Sequence, residues 1–261
     1  GYVDKPFTNE ASFNWNKFKL SIQIMMMMAD NLVELELEKV QQIINKILSD
    51  KEPDHLKQRE IDLWMKVYQA GKKGRRTGIG ILALGDMLAA LGLKYGTKEA
   101  TDFSVKVYEF MTLNSYLTSY KLVQEHGREP FSMFDYEKEK NNPFLIRLTQ
   151  SKNFPELSKE IERMWKNGKG RRNVALMTIA PTGSTSIMTQ TTSGLEPLFS
   201  PFYTRQRKIE KTSGLKPDTV DVNGDWFIKY NVIHYPFINW YAAQKDITFD
   251  QAKEIMTHLP E

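Results

Sequence analysis

Cysteine is absent from all 261 residues. That absence excludes disulfides, thiolate-bound zinc, iron–sulfur clusters and any thiol nucleophile supplied by these residues. Histidine is scarce too. The four, His55, His126, His234 and His258, are scattered without metal-ligand spacing. No apolar run reaches the roughly 18–20 residues of a membrane span, and no signal-peptide pattern opens the chain. A cytoplasmic protein with no membrane partner is therefore expected. A strong excess of one charge is also missing: Lys and Arg number 36 against 32 Asp and Glu, a net +4. Basic residues gather only briefly, at 72–76 and 169–172, so nucleic acid is not an expected partner. Glycine rather than methionine at position 1 reads as a trimmed or processed end.

What is present is ordinary globular material, 41% hydrophobic and 26% charged, in a chain long enough to bury a core. Residues 13–48 read as a helix, with Phe18, Ile22, Met25 and Ala29 at three- and four-residue spacing and Leu32, Leu35 and Val40 continuing the pattern. The run Met25, Met26, Met27 and Met28 reads as flexible core filling. Pro53 interrupts, and Asp54 caps a second helix to about Gln69. Residues 71–74 read as a turn and 75–81 as a short strand. An Ala/Leu-rich helix then ends near Gly92. A long amphipathic helix is predicted over 98–124, with Phe103, Val107, Phe110, Leu113 and Leu117 on one face and Gly127 as its stop. Loops fill 141–155 and a helix 156–165. Residues 174–180 form a nearly continuous apolar run, the pattern of a strand buried on both faces. An aromatic-rich tail ends in a helix over 250–258. Helices separating short buried strands predict an α/β fold with parallel strands.

Three local features bear on function. Residues 78–83 satisfy the Gly-x-Gly-x-x-Ala dinucleotide pattern, but a basic stretch precedes them where the mechanism needs a hydrophobic strand. Close packing is the better reading of these glycines. Lys73-Gly74-Arg75-Arg76 and Lys169-Gly170-Arg171-Arg172 echo one another, each before an apolar run. The loop Pro181, Thr182, Gly183, Ser184 and Thr185 follows the predicted buried strand, at the end where α/β sheets and barrels hold ligands. Its glycine admits an anion to the backbone, its hydroxyls can donate, and a helix starting there adds a favourable dipole. No Gly-Lys-Ser/Thr follows, so it is not a P-loop. A phosphate cradle or a capped turn both fit. Glu196, between a turn and Pro197, reads as structural.

Four stretches together resemble the large, catalytic subunit of ribonucleotide reductase. They are Phe13-Asn14-Trp15 leading into a helix with Ala29-Asp30-Asn31, then residues 74–81, residues 173–184 with Ala-Pro-Thr-Gly-Ser, and residues 192–199 with Ser-Gly-Leu-Glu-Pro. Their order and separation fit the family from about residue 13 to Arg207, and more loosely to Tyr241. The resemblance implies a partial ten-stranded α/β barrel, a helix-rich fragment with a few buried parallel strands. Residues 1–70 would supply N-terminal helices and 71–261 the strand/helix units. It also implies a ribonucleoside di- or triphosphate substrate whose phosphate rests on Pro181, Thr182, Gly183, Ser184 and Thr185.

The motifs look most like the adenosylcobalamin-dependent class, although members using a separate radical-generating subunit carry similar residues. The family reaction starts from a cysteine thiyl radical, and its cysteines fall before residue 1 in the family order. The last barrel strands would follow Glu261. The expectation is thus a fragment with no catalytic residue and no cofactor of its own, inactive alone. Its partners would be the remainder of the catalytic subunit and, through exposed strand edges and apolar faces, further copies of itself. Two rivals stand beside it: a non-catalytic nucleotide-binding module, and a helical scaffold with no anion site.

Overall fold

The computed structural model describes residues 1–257. Short strands β1 (Val3–Asp4) and β2 (Ser12–Phe13) open the chain, followed by α1 (Trp15–Ser49), α2 (Asp54–Gly74), α3 (Leu84–Ala90) and α4 (Lys98–Gln124). Next come α5 (Tyr136–Glu139), α6 (Pro143–Leu148), α7 (Pro155–Lys166) and α8 (Gly183–Thr189). Strands β3 (Phe202–Ile209), β4 (Thr219–Val220) and β5 (Trp226–Ile233) precede α9 (Tyr235–Lys245) and α10 (Phe249–Thr257). His258, the last residue of the expected final helix, lies outside the described residues. The chain divides into a helical unit, residues 15–80 and 102–180, and a loop-and-sheet unit, residues 1–14, 81–101 and 181 onward.

In the helical unit α1 buries Phe18, Ile22, Met26, Asp30, Val33, Leu37, Val40, Ile44 and Ile47, steps of three and four that keep one face inward. This face departs from the sequence pattern between Ile22 and Val40. Met25, Leu32 and Leu35 are at least half exposed, and of the four consecutive methionines only Met26 is core. Four successive residues sweep nearly a full helical turn, so a run of that length cannot share one face. Trp15 starts the helix by packing on Phe103, Phe110 and Phe154, with ring centroids 6.0, 5.0 and 5.5 Å away. The second half of α4 is buried nearly all round. Leu113, Leu117 and Tyr120 meet Leu145, Leu148, Ile161, Met164 and Trp165 from α6 and α7. Of the face predicted for α4, Val107, Phe110, Leu113 and Leu117 are buried and Phe103 is half-buried, but the opposite side, with Asn114, Ser115, Thr118 and Ser119, is buried as well.

Helix α2 packs along α1 and runs through Gly74, so the expected turn at 71–74 is helical. A Cβ on Gly71 would stand 3.2 Å from Leu37 Cδ2, which makes that glycine a close-packing residue. Arg75 ends the helix instead, in the left-handed conformation at φ 45°, ψ 54°, its N–H bonded to the Gly71 carbonyl. Beyond it, residues 74–79 run parallel to 174–178. Val174 N–H donates to Gly74 O, Thr77 N–H to Ala175 O, Ile79 N–H to Leu176 O and Thr178 N–H to Ile79 O. Gly80 permits this approach, since a Cβ there would lie 2.4 Å from Thr178 O.

The expectation of a strand buried on both faces at 174–180 is corrected here. The pairing is a single parallel bridge, Ile79 with Met177; Leu176 is buried, and Ile179 is 65% exposed. Apolar composition cannot distinguish a covered face from an open one.

In the loop-and-sheet unit β1 pairs with β2, and β3, β5 and β4 form an antiparallel sheet in that order. Ile238, Ala252 and Met256 make a small core between α9 and α10. The predicted parallel strands therefore reduce to that single bridge, and the regular ladders among the described residues are antiparallel. The result is helix-rich α/β with small sheets, and the described residues close no barrel.

Candidate functional site

Pro181, Gly183, Ser184 and Thr185 are exposed, with Thr182 half-buried behind them. Helix α8 begins at Gly183, and Thr182 holds the capping position at φ −99°, ψ 36° without capping the helix. Its hydroxyl oxygen is already taken: Gly194 N–H donates to it at 3.0 Å. Ordinarily a threonine there would accept from the second or third helical N–H. Here the N–H groups of Gly183, Ser184 and Thr185 have no protein acceptor among the described residues. A Cβ on Gly183 would meet nothing within 4 Å, so this glycine is not required by packing. The turn is stabilised from inside. Ser186 N–H donates to Thr182 O at 2.8 Å, and Ser186 Oγ to Gly183 O at 2.8 Å. The predicted loop residues thus lie together, with open donors at one end of a short helix.

Behind the loop is a latch that sequence reasoning missed. Asp86, in the first turn of α3, accepts the Thr192 N–H at 2.8 Å through one oxygen. Its other oxygen lies 2.8 Å from His234 Nε2. Both side chains are nearly buried. Ala83 N–H donates to Thr192 O at 3.2 Å, so residue 192 is held on both sides. Gly85 lets the next turn of chain come close, because a Cβ there would sit 2.6 Å from Pro197 Cα. Exposed Glu196 accepts the neighbouring Leu195 N–H at 3.1 Å. The latch therefore fixes 192–197, and Gly194 from that stretch holds Thr182. Asp86 and His234 are 148 residues apart, and no spacing rule connects them.

The helical unit holds a separate polar cluster, also unforeseen. Asp30 is fully buried on α1. Arg75 donates to Oδ1 through Nε at 3.0 Å and Nη2 at 2.8 Å, Arg128 donates to Oδ2, and Arg172 Nε to Oδ2 at 3.1 Å. Asn173 Nδ2 adds a bond to Oδ1 at 2.9 Å and is itself fixed to Arg75 O and Ser119. Half-exposed Glu34 pairs with Arg75 and Arg172 from the outer side. Burial would raise the Asp30 carboxyl pKa; the hydrogen bond and charge of Arg75, with Arg172 and Arg128, outweigh it and hold it below the usual carboxylate range.

The two Lys-Gly-Arg-Arg stretches meet at this cluster, though out of step: Arg75 and Arg172 share Asp30, while Arg171 turns to Glu139 and the rings of Tyr116 and Phe131. An open groove of about 1040 Å³ lies alongside, lined among others by Glu34, Glu38, Lys72, Arg75, Arg128 and Arg172. Among the described residues no group of three or more His, Cys, Asp or Glu is placed to hold a metal ion, and no helix is long and apolar enough to cross a membrane.

Comparison with known proteins follows the same residues. Residues 3–223 match the family model described as ribonucleotide reductase, barrel domain. The vitamin B12-dependent ribonucleoside-diphosphate reductase of Mycobacterium tuberculosis is 27% identical over 190 residues, 71% of this chain and 22% of that protein. Its namesake from Thermoplasma acidophilum is 29% identical over 140 residues, 54% of this chain and 15% of that protein. The ribonucleoside-diphosphate reductase subunit alpha of Helicobacter pylori is 30% identical over 162 residues, 59% and 20%. The chain thus spans about a fifth of the length of such relatives.

Proposed function

Because the chain belongs to the ribonucleotide reductase barrel-domain family, we propose that it carries the substrate-phosphate loop of a catalytic subunit, at Pro181, Thr182, Gly183, Ser184 and Thr185. The substrate is a ribonucleoside di- or triphosphate, and the reaction of the whole enzyme replaces the ribose 2′-hydroxyl by hydrogen. The observation that carries this reading is the pre-empted cap. With the Thr182 oxygen held by Gly194, three adjacent N–H groups converge without an internal acceptor, beside two exposed hydroxyls. Backbone donors and a helix dipole suit a phosphate oxygen.

These residues contain no thiol, so a thiyl radical and its reductant come from outside them. The chain alone does not turn over ribonucleotides. Its part in the reaction is to bind and orient. Two relatives carry vitamin B12 dependence in their names, which supports the adenosylcobalamin-dependent class for the whole enzyme. The groove beside Asp30 mixes Leu37, Tyr68, Pro130, Phe131 and Phe134 with carboxylates and guanidinium groups. The exposed Leu20, Ile24, Met28, Leu32 and Leu35 of α1 support packing against the remainder of a catalytic subunit or a further copy.

Calorimetric titration of the full chain with a ribonucleoside diphosphate tests the reading, with amide shifts followed in parallel. Weak binding is expected, weaker than micromolar, with shifts centred on Gly183, Ser184 and Thr185. Shifts confined to other residues defeat the loop assignment. Micromolar affinity favours a dedicated nucleotide-binding module instead.

A further inference from the structure

Strand β3 is an edge strand: β5 pairs with it on one side, and β4 lies on the far side of β5. The register shows which of its backbone groups face outward. Lys229 N–H on β5 is taken by the Asp218 carboxylate, and Phe227 O accepts the Asp218 N–H, both on the β4 side. Their partners across the ladder are Gln206 and Lys208. In an antiparallel pair the two residues either face each other with both hydrogen bonds or turn both away. The N–H and C=O groups of Gln206 and Lys208 therefore point out of the sheet. Arg205 and Arg207, opposite Tyr230 and Ile228, bond inward.

The side chains around this edge are strongly one-signed. Residues 202–211 contain Arg205, Arg207, Lys208 and Lys211 against the single acid Glu210. Lys208 pairs with Asp225. Arg205 and Arg207 project from the same face with no carboxylate partner among the described residues, Arg205 lying over the Tyr203 ring at 6.0 Å. Exposed Tyr203 and Tyr230 flank them, at 41% and 44%.

We propose that β3 is a docking edge for an extended acidic segment of a partner polypeptide, which adds as a further strand at Gln206 and Lys208 and sets carboxylates against Arg205 and Arg207. Charge complementarity selects this occupant. A second copy pairing β3 with β3 would bring arginine and lysine against like charge, which is destabilising for directly opposed residues. A nucleic-acid backbone offers acceptors only, whereas this edge presents donors and acceptors alternately, the pattern a polypeptide returns. The inference is independent of the phosphate loop.

The test uses the full chain and a fluorescent eight-residue peptide alternating glutamate and valine. A lysine–valine counterpart and an eight-residue oligothymidylate serve as comparison probes. Anisotropy should show binding of the acidic peptide that weakens as salt rises. Amide exchange at Gln206 and Lys208 should slow on binding. Gln206→Pro removes an outward N–H that β5 does not use, a place where an edge strand tolerates proline. It should keep the circular dichroism spectrum and weaken binding at least tenfold. Arg205→Gln with Arg207→Gln should do the same by removing the charges. Equal affinity for the lysine peptide, tighter binding of oligothymidylate, or unchanged exchange at Gln206 and Lys208 each overturns the proposal.

Discussion

The Asp30 cluster and the 181–185 loop use polar groups in opposite ways. Around Asp30 the donors close inward on one carboxylate that solvent does not reach. At the loop a hydroxyl that would close the helix end is drawn backward to Gly194, and the N–H groups face out. The first arrangement supports the fold, because a buried charge is tolerable only when its partners are complete. The second leaves hydrogen-bonding capacity for something other than the protein. A polar cluster therefore points to function through what it leaves open, and size alone is a poor guide: the larger charged cluster here is the structural one.

Breaking the closed side should have the largest effect. Asp30→Ala leaves Arg75 and Arg172 buried without their main counter-charge, and should cost about 3–5 kcal/mol or prevent folding, read by urea denaturation. Acid should act through the same group. Its folded pKa lies below the unfolded value of about 3.9, so its contribution is complete above that value and lost as pH falls through the lower folded one. Asp30→Asn should flatten that part of the stability–pH curve. An unchanged acid limb would remove Asp30 from this role.

An intermediate effect is expected at the latch. Asp86→Ala orphans the Thr192 N–H and releases His234, at a cost of about 1–3 kcal/mol. Because Gly194 lies two residues beyond Thr192, broadened amide signals at Gly183 and Ser184 should accompany the loss. If those signals stay sharp, the latch does not govern the loop.

The smallest structural effect, and the one that best separates the two regions, belongs to Gly183→Ala. The added methyl meets no protein atom within 4 Å, so stability should stay within about 0.5 kcal/mol or rise slightly. Ribonucleoside diphosphate binding should nonetheless weaken several-fold, by titration. Unchanged binding would show that the anion does not approach the backbone there.

Sequence made the helices and the loop legible because both are local. The buried face of α4 follows from spacing within one helix, and 181–185 from residue types in one turn. The Asp30 hub is invisible by the same measure, since its partners lie 45, 98, 142 and 143 residues away. An aspartate inside a helix reads as a surface residue until those arginines are placed. Strands β3 and β5 were missed for a different reason. Both faces of β3 carry polar residues, so Thr204, Arg205, Gln206, Arg207 and Lys208 show none of the alternation that marks a half-buried strand. The stretch at 174–180 erred the other way, its apolar content promising a cover that the described residues give only to Leu176.

Arg75 joins two jobs in one residue. Its left-handed backbone, a conformation that costs on the order of 1–3 kcal/mol for a non-glycine side chain, stops α2. Its side chain is anchored to Asp30. The length of α2 is therefore gauged by a charge on another helix. One residue more or fewer before Arg75 would swing the helix end by about 100°, carry the guanidinium off its carboxylate, and shift Gly78 and Gly80 out of step with Thr178. Segments 54–74 and 75–80 behave as a ruler with a fixed zero mark, tolerant of substitution along its exposed face and intolerant of any change in count.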